Sequence, residues 1–147
     1  MIVREIVGAE LTDLQGTDSI RDNAITANAM DVEDGVVGSI TTTEVELASV
    51  TVTTNGGEVA LIGKTEFSWA VVGDPYWLRI RKDSTSGTEL DAQYITVHDS
   101  DAPFVLMALD ASPAVSQSYF LTCVRASGTT SQAQCQRRRL LAINLKK

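Results

Sequence analysis

No stretch of this chain offers the roughly 18 uninterrupted apolar residues that a membrane-spanning helix requires. The opening "MIVREIVGAE" also lacks the basic flank and long apolar region of a signal peptide. The expectation is a protein made and left in a cytoplasm, with no membrane partner. Chemistry is equally scarce. Ser-x-x-Lys, Gly-x-Ser-x-Gly, His-Glu-x-x-His and phosphate-loop patterns are all absent, so nucleophilic, zinc-dependent and nucleotide-dependent mechanisms lack their residues. The one histidine, His98, stands in "TVHDSDAP" with Asp99 and Asp101, a set well short of a complete cation site, and is expected only to help shape the turn before Pro103. Glu44 and Glu46, or Glu89 and Asp91, sit two apart on expected strands and face the same side, a spacing that glycoside hydrolysis can use and that solvated strand faces satisfy equally well. No catalytic residue, no cofactor and no metal are expected, and hence no enzyme.

What is present fits one globular domain: 147 residues, 44% of them hydrophobic, enough to enclose a core. The net charge of −7 is unevenly placed, since residues 1–41 hold eight acidic side chains against Arg4 and Arg21, leaving only −1 for the rest. An acidic arm repels phosphate backbones, which argues against nucleic acid and favours a basic protein surface. Within this arm, "DSIRDNAITANAMDVEDGVVGSI" spaces Ile20, Ile25, Met30, Val32, Val36, Val37 and Ile40 among polar residues. A segment of this kind becomes ordered by lying along partner chains, each apolar anchor filling a pocket. The alternative is a short helix, capped by Thr17 or Asp18 and running through Met30, packed on its own domain.

From Thr42 onward the pattern changes to alternation. "TEVELASVTVTT", with an out-of-phase step near Ala48 and Ser49, is followed by "EVALIGKTEFSWAVV", "YWLRIRKD", "ELDAQYITV", "PFVLMALD", "SYFLTCVRAS" and "RRRLLAINLKK", separated by turn formers. Seven strands with no amphipathic helix among them predict an all-β fold, an antiparallel sandwich. A break of the second run at Gly63 would make eight, the number of a jelly roll. The expected division is an extended arm over 1–41 and a sandwich over 42–147, so that deleting residues 1–40 should leave the sandwich folded.

"FVLMALD" and "SYFLTCV" are apolar on both faces, and so small a sandwich has one interior. The second faces, represented by Val105, Met107 and Phe120, are therefore candidates for a subunit interface, unless a loop or the arm covers them. Cys123 and Cys135 would lie opposite each other if "RASGTTSQAQ" turns near Thr129, and can then be either bonded or free thiols. Arg137, Arg138 and Arg139 alternate in direction and so form no single patch, but can accept the acidic arm of a neighbour. Trp69, Tyr76 and Trp77 are either core aromatics or a surface for stacking sugars.

The order of the "DSIRDNAITANAM" arm, a strand ending "TTNGGEVALIG", the "LRIRKDSTSGTEL" hairpin, the "LDASPAVSQSYFLTCVRASGTT" turn-strand and the closing "RRRLLAINLKK" resembles bacteriophage virion proteins with a trimeric, tumour-necrosis-factor-like jelly-roll domain, over roughly residues 18–147. The resemblance implies a virion-surface structural protein made in a host cytoplasm: a homotrimeric capsid decoration (cement) protein, or alternatively a head or tail fibre tip or a glycan-binding sandwich. It implies as partners the major capsid protein or other virion proteins, and a glycan receptor for the fibre alternative. The arm would clamp neighbours through Ile2, Val3, Ile6, Ile20, Ile25, Met30, Val36, Val37 and Ile40.

Overall fold

Each alternating run from Thr42 onward becomes one strand, and two further strands precede them. The computed structural model describes residues 25–54, 56–70, 72–98, 103–127 and 133–145. The strands are β1 (Ile25–Glu33), β2 (Val37–Ile40), β3 (Val45–Thr53), β4 (Glu58–Trp69), β5 (Pro75–Lys82), β6 (Thr88–Thr96), β7 (Pro103–Asp110), β8 (Ser116–Arg125) and β9 (Ala133–Leu145). Among the described residues no helix is long and apolar enough to cross a membrane.

Sheet A has the order β1-β9-β4-β7, with β2 also paired to β9, and sheet B the order β3-β8-β5-β6. All pairs are antiparallel. Strand β9 pairs with β1 and β2, β8 with β3, β7 with β4 and β6 with β5. This nesting of outer pairs around inner ones is a long hairpin rolled into two sheets, the jelly roll.

Two expectations are corrected here. Strand β4 runs unbroken through Gly63, and the additional strands come from the N-terminal segment instead. Gly63 is there for packing: a Cβ at this position would lie 2.7 Å from Leu121 Cδ1 of the opposite sheet. The boundary at 41/42 also moves, because residues 25–40 supply β1 and β2 of sheet A and not a detached arm. The same pairing rules out a helix extending through Met30. Residues 1–24 lie outside the described residues, and with them Ile2, Val3, Ile6 and Ile20.

The core fills the space between the sheets. Leu61, Phe67 and Leu140 from sheet A meet Tyr76, Leu78, Ile80, Tyr119 and Leu121 from sheet B, all fully buried or nearly so. Phe67 packs against Tyr76 with ring centroids 4.9 Å apart and edge-on against Phe104 at 5.7 Å. The out-of-phase step in β3 falls between Glu46 and Ala48, so Leu47 and Ala48 are both buried. A bulge lets one extra residue enter the core at the cost of one ladder position.

Candidate assembly interface

The two outer faces of the sandwich differ sharply in chemistry. On sheet A the register aligns outward residues into rows across four strands. Asn28, Ile143, Ala60 and Leu109 form one row, and Met30, Leu141, Ile62 and Met107 the next. A third row holds Val32, Arg139, Lys64 and Val105. The middle row is apolar from edge to edge, the first is apolar apart from Asn28 and the third carries Val32 and Val105 at its ends. These apolar side chains project into solvent: Met107 is 68% exposed, Met30 62%, and Val105 and Leu109 53% each. The rim is charged, with Arg139 paired to Asp34 and Glu66 held by Lys64 at 3.2 Å and Arg137 at 3.0 Å. An apolar centre with a polar rim is the anatomy of a protein interface.

Sheet B presents the opposite. Glu44, just before β3, accepts from Arg79 Nη1 at 2.7 Å, from Arg81 Nε at 3.0 Å and from the Thr122 hydroxyl. Glu89 closes the network on Arg79 at 3.0 Å. Burial alone would push the Glu44 carboxyl up, but the hydrogen bonds from Arg81 and Thr122 and the two guanidinium charges outweigh it and hold the group below its ordinary value. Two arginines and two glutamates compensate each other, so this face is stable against water. The carboxylates that shared a strand face in the sequence are thus divided in role: Glu44 and Glu89 are ion-paired, and Glu46 is exposed.

At one end of the sandwich a second polar cluster fastens the turn between β7 and β8. Asp110 accepts from the Tyr119 hydroxyl and from Lys82 Nζ, both at 2.9 Å, and from the Ser112 N–H at 3.0 Å. Gln117 accepts from the Ala114 N–H and donates to Asp83. Burial raises the Asp110 carboxyl, but Lys82, the Ser112 N–H and Tyr119 together lower it further, and Tyr119 is pushed far above its usual value. Carboxyls held below their unfolded values contribute stability that is complete above about pH 5 and is lost as pH falls through the folded value. The thermal midpoint is therefore expected to be level from neutral pH to about pH 5 and to fall below about pH 4. Asp110→Asn should cost about 1–2 kcal/mol at pH 7 and flatten the acid limb. An acid limb unchanged in the variant, followed by circular dichroism, would assign that limb elsewhere.

The sequence-derived site residues separate in space. Val105 and Met107 lie on the outer face of sheet A, but Phe120 is half-buried on the outer face of sheet B between Ser49 and Arg81, so the three cannot share one surface. Of the proposed anchors, Met30 and Val36 are exposed, whereas Ile40 is fully buried and Val37 packs against the core, where they serve their own domain. Ile25 pairs with Leu145 at the start of β1. Leu109 shares the Met107 face of β7, and Ile62 and Leu141 complete the apolar face and were missed, because only register across strands places them beside Met30 and Met107.

Cys123 and Cys135 are not cross-strand partners of one hairpin, since β8 and β9 belong to different sheets. The arginine run is engaged within its own domain, Arg137 with Glu66, Arg139 with Asp34, and Arg138 buried. Tyr76 is a core residue, Trp69 is half-exposed at the end of β4, and Trp77 meets Tyr94 edge-on with Arg79 over its ring at 5.4 Å. His98 is exposed, and Asp99 and Asp101 lie outside the described residues, among which no cluster capable of holding a metal occurs.

No protein-family model and no curated protein matches the chain. Among solved structures it is similar to the infectious bursal disease virus VP2 subviral particle, at a TM-score of 0.56 and 13% identity, covering 82% of this chain and 32% of that one. It is similar also to T=1 particles derived from the same virus (0.54, 13%, 81% and 32%) and to its T13 viral particle (0.53, 11%, 84% and 32%). The chain spans about a third of the length of these viral chains. At such identities the likeness is one of fold: the chain is an antiparallel β-sandwich similar to one found in these viral particles.

Proposed function

We propose that this chain is a non-enzymatic structural subunit of a virion that associates with copies of itself through the outer face of sheet A and turns sheet B outward. The observation that carries this reading is the apolar face spanning β1, β9, β4 and β7. Burying what remains exposed of each large side chain contributes on the order of 1 kcal/mol. Several such side chains together are comparable with the roughly 4–15 kcal/mol that association costs. A closed ring satisfies two contacts per subunit, and a homotrimer of the capsid decoration (cement) type is the form proposed. Its sheet A faces would meet near the threefold axis, and residues 1–24 would engage the major capsid protein. A phage origin and a place on the virion surface belong to the same proposal. The fold likeness to viral particle subunits supports the structural class.

A fibre-tip or glycan-binding role would draw on the exposed aromatics Trp69 and Tyr94 and on Trp77, which packs against Tyr94. The Trp77 and Tyr94 rings meet at 69° with Arg79 over the Trp77 ring, and so this pair forms no flat stacking platform. Light scattering coupled to size-exclusion chromatography at tens of micromolar is expected to give three times the 15.8 kDa chain mass. Ile62→Asp and Met107→Asp, both at exposed positions, should give folded monomers. A monomeric wild-type chain would remove both the trimer and the assembly role.

A further inference from the structure

Cys123 lies two residues before the end of β8 and Cys135 two residues after the start of β9, so the thiols flank the passage of the chain from sheet B to sheet A. Both point inward from opposite walls of the same core and both are fully buried. In sheet B, Cys123 is opposite Val45 and Leu78; in sheet A, Cys135 is opposite Val37 and Phe67. Strands β8 and β9 approach within 8 Å between Cα atoms, and Cys135 is near enough to raise the Cys123 thiol. Facing cysteines on two sheets, at the end where the sheets are joined, constitute a site for a covalent link between them.

We propose that Cys123 and Cys135 form an intersheet disulfide by exchange with a small-molecule disulfide, in a chain that is opening or still folding. One protein thiolate attacks a sulfur of the small disulfide, forming a mixed disulfide and expelling one small thiolate. The second protein thiolate then attacks the protein sulfur of that mixed disulfide, forming the S–S bond and expelling the second small thiolate. The two expelled thiolates take up the two protons given by the protein thiols. The two cysteines are thereby oxidised by two electrons and the small disulfide is reduced to two thiols.

Burial works in both directions. The nearby Cys135 and the loss of solvent raise the Cys123 thiol well above its ordinary value, so the closed, reduced sandwich offers almost no thiolate for attack. Once formed, the bond is shielded from reductant by the same core. The redox state would thus be set while the chain folds or breathes and retained afterwards. This site is independent of the assembly role and stands or falls separately from it.

The test uses the full wild-type chain, refolded from denaturant in a buffer of oxidised and reduced glutathione, then alkylated under denaturing conditions and examined by intact mass and tryptic mapping. Arg125 separates the two cysteines, so trypsin leaves their peptides joined only if the bond exists. The expected result is a monomeric polypeptide with no alkylated cysteine, a joined peptide pair, unchanged circular dichroism and a thermal midpoint raised by about 5–10 °C. Cys135→Ala should lack the rise. Two alkylated cysteines after refolding, glutathione adducts alone, interchain disulfides alone, or an oxidised chain that has lost its native spectrum would each overturn the proposal.

Discussion

Replacing Arg138 with alanine is expected to lower stability by about 3 kcal/mol and the thermal midpoint by roughly 6–12 °C. Arg138 is the inward member of the arginine run and is turned there by a bulge in β9, where Arg137 adopts a φ of 47°. Its guanidinium donates to the Leu47 carbonyl at 2.6 Å and to the Gly35 carbonyl at 3.2 Å. The Leu47 carbonyl is available because the bulge in β3 takes Leu47 out of register. One side chain therefore joins β9 in sheet A, β3 in sheet B and the turn between β1 and β2. Glu33, 3.7 Å away and half-exposed, adds little, because exposed ion pairs are worth at most about 1 kcal/mol. The alanine variant leaves a buried carbonyl without its donor. Arg138→Lys should recover only part of the loss, since one ammonium cannot span both the Leu47 acceptor on β3 and the Gly35 acceptor in the β1–β2 turn. Chemical denaturation measures both, and a loss below about 1 kcal/mol in the alanine variant would make this bridge ornamental.

The strands β3–β9 were legible because their inward positions carry apolar side chains at a period of two and their connections carry turn formers. Strand β1 reads differently for a physical reason. Its inward positions Ala29 and Asp31 are small or charged, whereas Met30 and Val32 point outward. Asp31 faces inward because it accepts the Ser49 N–H at 2.9 Å, a donor on the edge strand of sheet B with no ladder partner on that side. A strand whose polar side is its inner side carries no ordinary alternation signal, and its outward apolar residues read as anchors for another chain. Met30 and Val36 are exposed, but the backbone of the segment belongs to sheet A and not to a neighbour.

The placement of Phe120 and the hairpin expected around the cysteines fail for one reason. Alternation shows that a strand has two faces but not which sheet it joins, and a jelly roll sends consecutive strands β8 and β9 to different sheets. Local turn chemistry in "RASGTTSQAQ" suits a hairpin equally well. The apolar face of sheet A was only half visible for the same reason: Met107 and Val105 stand out within their own strand, but Ile62 and Leu141 acquire meaning only when β4 and β9 are set beside them.

Deleting residues 1–40 is expected to abolish the cooperative fold, whereas deleting residues 1–24 is expected to preserve it. The longer deletion strips β1 and β2 from β9 and exposes a central strand as an edge along its whole length. It removes Ile40, fully buried in the core, together with the Gly35 acceptor of Arg138 and the Asp31 acceptor of Ser49. Loss of one large buried aliphatic side chain alone costs about 2–5 kcal/mol. Adding the two interstrand bridges and the unpaired edge brings the loss to the scale of the 5–15 kcal/mol that holds an ordinary domain together. The shorter deletion leaves every contact described above in place. Thermal unfolding followed by circular dichroism separates the cases: a sharp transition for the chain beginning at Ile25, and none, or aggregation, for the chain beginning at Thr41. If the chain beginning at Thr41 unfolded as cooperatively as the full one, β1 and β2 would be an appended arm after all. If it does not, residues 25–40 belong to the sandwich itself and are not available as a detached arm.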